Sequence, residues 1–255
     1  MTLCIGAELI IEGHGQVRER DLRHLHAAVT VATGLGHDTS TPPTPSGIHH
    51  RRQGWALRPW PCASGVALVL WAHSEGAVER LRGGVSARIG RKPVRLRIGA
   101  LHRVHEPLGT DAEVSVVDLI ATTPVCVRRT QRRVEGQPVH RVVYHTTPTA
   151  ESIASGLRTL AVKLGVAHDD IHVTMLSSRT LPQTVALGGK LGGRHGWVGV
   201  VRLEASRQAR WLLDAAARGL GMGASTSYGL GAVSVRQVAS GPQVVSAIDE
   251  RRSLK

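Results

Sequence analysis

The 255-residue chain holds 32 Lys and Arg against 19 acids, a formal net charge of +13, and is 42% apolar without a single Phe. Its three cysteines, Cys4, Cys62 and Cys126, stand far apart, which excludes a disulfide framework and paired metal-ligand spacing and makes a reducing cytoplasm the expected compartment. No run approaches the ~20 apolar residues of a membrane span, so no membrane is expected, and the cationic excess favours a polyanionic partner.

The length suits two domains of ordinary size, with cores built from Val, Leu, Ala and Ile. Residues 3–11 are apolar enough for a largely buried strand. Residues 18–33 carry Leu22, Leu25, Val29 and Ala32 at helical spacing, with His24 pointing away from that stripe, His26 flanking it and Gly34 closing the helix. Residues 37–54 contain three prolines and two glycines and cannot be regular; loops of this length inside a domain are usually functional or disordered. Strands follow at 55–60 and 65–72, then a short helix capped by Ser74, then a strand-like region over 85–98 broken at 90–93. The order is β-α-β-β-α-β, the split βαβ of ferredoxin-like domains.

The second half repeats that order. Strands are expected at 112–121 and 124–129, with a hairpin to 140–145. Thr147-Pro148 opens a helix with Ile153, Leu157, Leu160, Ala161 and Leu164 on one face, and strands at 171–176 and 197–203 follow. A last helix over 206–218 leads into Gly221-Met222-Gly223-Ala224-Ser225-Thr226-Ser227-Tyr228-Gly229-Leu230-Gly231 and a strand at 232–235. The fold class is therefore α+β, two tandem ferredoxin-like domains over 1–108 and 109–240 with a C-terminal glycine-rich loop, and a loose tail over 241–255.

Helix, glycine loop, strand is the reverse of a dinucleotide fingerprint, and the loop lacks the Gly-Lys-Ser/Thr ending of a nucleotide-triphosphate site. A helix C-terminus repels anions, so phosphate binding here would rest on backbone N–H groups and the hydroxyls of Ser225, Thr226 and Ser227; a glycine cap and a turn is the plain alternative.

Duplicated ferredoxin-like halves, net basic charge and this loop together resemble the RAMP superfamily of CRISPR-associated proteins, within it most nearly the repeat-cleaving endoribonucleases that release guide RNAs. The loop fits that family's G-h-G-x5-G-h-G pattern at every fixed position, and the element order covers nearly the whole chain. The resemblance implies cleavage of CRISPR repeat RNA with no metal or other cofactor. The neighbouring 2′-OH attacks the phosphodiester, leaving a cyclic phosphate and a 5′-OH, with histidine as acid or base. Its alternative is a non-catalytic RAMP subunit that holds guide RNA, and other CRISPR effector subunits are further candidate partners. A metabolic α/β enzyme fits the element order poorly.

In the family a catalytic histidine commonly lies at or after the end of the first helix, facing the glycine loop. That region offers His50 and His49, beside Arg51 and Arg52, then His37, with His26 on the helix as an outsider. A tyrosine sometimes serves as partner, but Tyr144 and Tyr228 both lie in the C-terminal half. RNA contacts are expected from Arg51, Arg52, Arg128, Arg129, Arg132, Arg133, Lys190 and Arg194, and from the loop at Gly221, Gly223, Ser225, Thr226, Ser227, Gly229 and Gly231.

Overall fold

Alternate residues Ala7, Leu9 and Ile11 are buried, and this period-two pattern makes the first strand the centre of a sheet. The computed structural model describes residues 2–34, 55–59, 64–71, 75–105, 112–128, 144–166, 168–187, 193–224 and 226–238. β1 (Thr2–Glu12) pairs antiparallel with β3 (Val66–Trp71) and β5 (Lys92–His105). β2 (Trp55–Pro59) extends the sheet beyond β3, and β4 (Val85–Ile89) beyond β5. Helices α1 (Leu22–Thr33) and α2 (Glu75–Gly83) cover one face, enclosing Leu9, Leu25, Val29, Leu68, Leu81 and Leu96. Gly34, at φ 69°, caps α1 by donating its N–H to Thr30 O and Val31 O. The break expected at 90–93 is a hairpin turning at Gly90, so β5 takes the fourth position of the ferredoxin order and β4 is added at the edge.

The second sheet runs β7-β8-β6-β9, from β6 (Val114–Val125), β7 (Val173–Ala186), β8 (Gly193–Ser206) and β9 (Val233–Gln237). α3 (Ala150–Leu164) and α4 (Arg207–Ala215) cover it. Thr149 and Ser152 form a reciprocal capping box on α3, and the Ser206 hydroxyl accepts from the Ala209 N–H at the start of α4. The architecture is α+β, two ferredoxin-like units in tandem. Two expected runs, 112–121 and 124–129, merge into β6, whose register shifts between Ala121 and Val125, and Arg128 bridges Tyr144 beyond it. β7 and β8 each run 14 residues, against six and seven expected. Nearly every β7 side chain is exposed, so it has no apolar alternation to read; its ladder to β8 holds it, and Pro182 is tolerated because β7 is an edge strand. The tail at 241–255 lies outside the described residues.

The two units share packing. Cys4 and Val69 of the first sheet sit in the core of the second unit, and Gly219, at φ 141°, brings the chain after α4 against Val69, where a Cβ would lie 3.2 Å from Cγ2. Arg58 on β2 donates to Ala217 O at 2.8 Å and Val233 O at 3.1 Å, tying the first sheet to both sides of the glycine loop. No described helix is long and apolar enough to cross a membrane.

On the open face of the second sheet, Asp118 accepts from Arg202 Nε at 2.8 Å and Nη2 at 3.1 Å, and from Arg236 Nη2 at 2.9 Å. It is 2% exposed because the two guanidinium groups lie over it, and their hydrogen bonds hold its carboxyl down at about 2 against an ordinary 3.8. A carboxyl held low stabilises the fold fully above its ordinary value and loses that contribution as pH falls toward the folded value. The stability difference between the wild type and D118N, from urea unfolding, is expected to stay constant between about pH 7 and 5 and to narrow between about pH 4 and 2.

Candidate functional site

All four fixed glycines of the loop are left-handed, at φ 70° (Gly221), 86° (Gly223), 78° (Gly229) and 73° (Gly231). The requirement is steric as well as conformational: a Cβ on Gly223 would lie 2.6 Å from Cys126 O, and one on Gly231 would collide with Met222 O. Short backbone bonds lace the loop shut. Met222 N–H donates to Gly231 O (2.8 Å), Ala224 N–H to Cys126 O (2.7 Å) and Gly231 N–H to Pro124 O (2.9 Å). The apolar member of each triplet is buried, Met222 fully and Leu230 at 4% exposure. Gly156 lets α3 approach Met222, because a Cβ there would lie 3.2 Å from Met222 Cγ.

This lacing redirects the loop's chemistry. The amides of Gly221, Gly229 and Gly231 donate to Ala216 O, Thr226 O and Pro124 O, and Thr226 is buried with its methyl against Gly221. Those donors are spent within the protein, and the glycines act as a bracket. What the bracket presents is Tyr228. Its ring stacks on His26 of α1, centroids 4.1 Å apart and planes 18° apart, and His26 also meets Trp55 at the start of β2, 5.2 Å away. Beside them Gly229 faces Leu22 and Leu57. A seam thus forms between α1, β2 and the glycine loop.

Cations gather at its C-terminal side. Arg194 sits 5.7 Å from the Tyr144 ring centroid, and the backbone of Arg128 pairs with that of Tyr144 in an isolated antiparallel β-bridge. Arg128 also acts on Lys163, which is half-buried; burial above all, with the Arg128 charge added, pushes its ammonium down to about 8. Burial raises the Tyr228 phenol, opposed by the charges of Arg194 and Arg23. Burial likewise pushes the Cys126 thiol up to about 12, which keeps it protonated and rules it out as a nucleophile. No cluster of three or more His, Cys, Asp or Glu side chains suited to a metal occurs among the described residues.

The structure therefore brings together two of the expected RNA contacts, Arg128 and Arg194, and adds Lys163 and Arg23. His37, His49, His50, Arg51, Arg52, Arg129, Arg132, Arg133, Lys190 and Ser225 lie outside the described residues, and Ser227 is described in its backbone alone. His26, set aside as an outsider, is at the seam, buried to 8% exposure while His24 is exposed. Tyr228 is there too: its place in the C-terminal half did not keep it from the first helix. The legible signal for His26 was its flanking position on the apolar stripe; for Tyr228 it was membership of the loop itself.

No protein-family model matches the chain, and no curated protein matches it by sequence. Solved structures do match in fold. A Cas6-related protein from Pyrococcus furiosus superposes with a TM-score of 0.55 at 12% identity, over 94% of this chain and all of that one. A Cas6 substrate-mimic complex gives 0.57 at 17%, and a Cas6 product complex 0.55 at 21%, each over 92% of this chain and 100% of the other. The chain has the Cas6-like RAMP fold. These identities carry the architecture and leave the chemistry of the seam to its own residues.

The bracket should be intolerant of a single methyl group. G231A is expected to lose at least about 2 kcal/mol in urea unfolding, combining left-handed strain with the collision at Met222 O. G15A, whose Cβ would meet nothing within 4 Å, is expected to stay within about 0.5 kcal/mol of the wild type.

Proposed function

We propose that the protein is an endoribonuclease that binds CRISPR repeat RNA and cuts the precursor transcript into guide RNAs. The observation that carries this reading is the docking of the glycine loop, through Tyr228, on His26, which itself meets Trp55. Trp55, the first residue of β2, follows His50 by only five positions in sequence and lies against His26 at the bracketed loop. The fold, shared over more than nine-tenths of the chain with Cas6 product and substrate-mimic complexes, supports the same reading.

The chemistry needs no metal. The 2′-oxygen bonds to phosphorus as the P–O5′ bond breaks, giving a 2′,3′-cyclic phosphate and a 5′-OH. A base takes the 2′-OH proton and an acid supplies one to the leaving 5′-oxygen. We assign those roles to His50 and His49, with His37 next, and charge stabilisation at phosphorus to Arg51 and Arg52. His26 holds Tyr228 and the loop in register. Arg128, Arg194 and Lys163 bind phosphates, joined by Arg129, Arg132, Arg133 and Lys190. The second reading, a RAMP subunit that holds guide RNA without cutting, has support from a RAMP protein of this fold that binds different RNA substrates.

A labelled repeat RNA incubated in EDTA discriminates the two. Cutting in EDTA that a single 2′-deoxy substitution at the cut site abolishes is the expected outcome, with alanine at the acting histidine slowing it ~10²–10⁴-fold. Tight binding without cutting would select the guide-holding reading, and neither binding nor cutting would overturn both. Because Lys163 binds phosphate only when protonated, affinity for a deoxy-blocked repeat is expected to fall several-fold as pH rises through about 8. K163R, charged throughout, should flatten that profile.

A further inference from the structure

The second sheet has one face that the candidate site leaves unused. α3 and α4 pack on the face bearing Val117, Leu119, Val201 and Leu203. By strand alternation and register, the opposite face presents Arg179 on β7, Arg202 on β8 and Arg236 on β9, all exposed. Arg194 points to that same face, eight residues along β8 from Arg202, a distance of about 26 Å at strand rise. Arg179, Arg202 and Arg236 thus gather on the open part of this face, whereas toward Arg194 the same face is covered by the buried cluster of Cys126, Tyr144 and Val185.

Asp118 sets two of them. Its carboxylate takes Nε and Nη2 of Arg202 and Nη2 of Arg236, which fixes both guanidinium planes and leaves Nη1 of each outside the triad. One carboxylate against two guanidiniums leaves a residual positive charge, and Glu204, the other acid on this face, lies beyond Arg202 at the far end. The remaining outward strand positions among the described residues are aliphatic, hydroxyl or amide residues such as Ile120, Val200, Leu181, Gln183 and Ser234, with no aromatic ring among them on which a base could stack. Oriented cations without stacking platforms recognise a sugar–phosphate backbone and not base identity.

We propose that this face is a track for the RNA flanking the scissile site, held through its phosphates by Arg179, Arg202 and Arg236. The proposal rests on the RNA reading above and adds a surface to it. Its test is binding of two RNAs blocked by a 2′-deoxy nucleotide at the cut, measured by fluorescence anisotropy over a range of KCl concentrations. One RNA is the full repeat; the other spans a few nucleotides on either side of the cut.

Two variants are compared with the wild type. R179A removes an arginine that makes no ion pair with a described residue. D118N/R202Q/R236Q removes the triad's charges together, so that no carboxylate is stranded. Thermal unfolding selects preparations that retain the fold. The expected result is at least a tenfold loss of affinity of the triple variant for the full repeat, a smaller loss for R179A, and unchanged affinity for the short RNA. The salt dependence should become shallower by about 0.7 in log–log slope for each phosphate contact removed. Wild-type affinity and slope on the full repeat in both folded variants would overturn the track while leaving the nuclease reading standing. Failure of the wild type to bind either RNA would overturn both. Self-association that the variants lose, with RNA binding intact, would reassign the face to a second copy of the chain.

Discussion

The absence of side chains at Gly221, Gly223, Gly229 and Gly231 is the constraint on which the rest of the site depends. Four left-handed residues within eleven positions let the loop double back on itself, and hydrogen bonds to Pro124 O and Cys126 O sew it to the end of β6. Burial of Met222 and Leu230 then fixes the loop from beneath. Held on both sides, Tyr228 stacks on His26 of the other unit, and His26 in turn meets Trp55. Arg58 reinforces that juxtaposition from β2 by bonding the carbonyls of Ala217 and Val233, which flank the loop in sequence. The loop is therefore an inter-unit bracket whose rigidity comes from buried backbone bonds in a site sheltered from water.

Much of the fold was legible because its determinants are local. The α1 stripe, the apolar face of α3 and the apolar run of β1 each state one element, and two repeats of β-α-β-β-α-β state the duplication. What was not legible were features that only pairing creates. β7 is exposed on both faces, apolar Met175, Leu176 and Leu181 included, and becomes a strand because β8 lies beside it; the added β4 edge follows from a turn whose strands read as one broken run. The site divided in the same way. Arg128 and Arg194 were found through charge and glycine content, whereas Lys163 emerges only when the end of α3 is set beside Arg128. Tyr228 was discounted by counting sequence halves, a rule that fails wherever one unit reaches into the other.

The electrostatics show what this arrangement lacks by itself. Several cations elsewhere in the described residues have acidic partners: Arg202 and Arg236 share Asp118, Arg97 meets Glu12, and Arg210 meets Asp214. At the glycine-loop side Arg128 and Lys163 repel one another, and no ion pair among the described residues joins either to an acid. Close like charges raise the energy of the folded state, and a desolvated ammonium raises it further. A ligand that brings negative charge to the folded form alone relieves that strain and stabilises the fold in proportion to its affinity. The uncompensated cations and the bracketed loop thus serve one end. The loop supplies geometry that does not change when the partner arrives, and the cations supply a free-energy gain that a polyanion alone can realise.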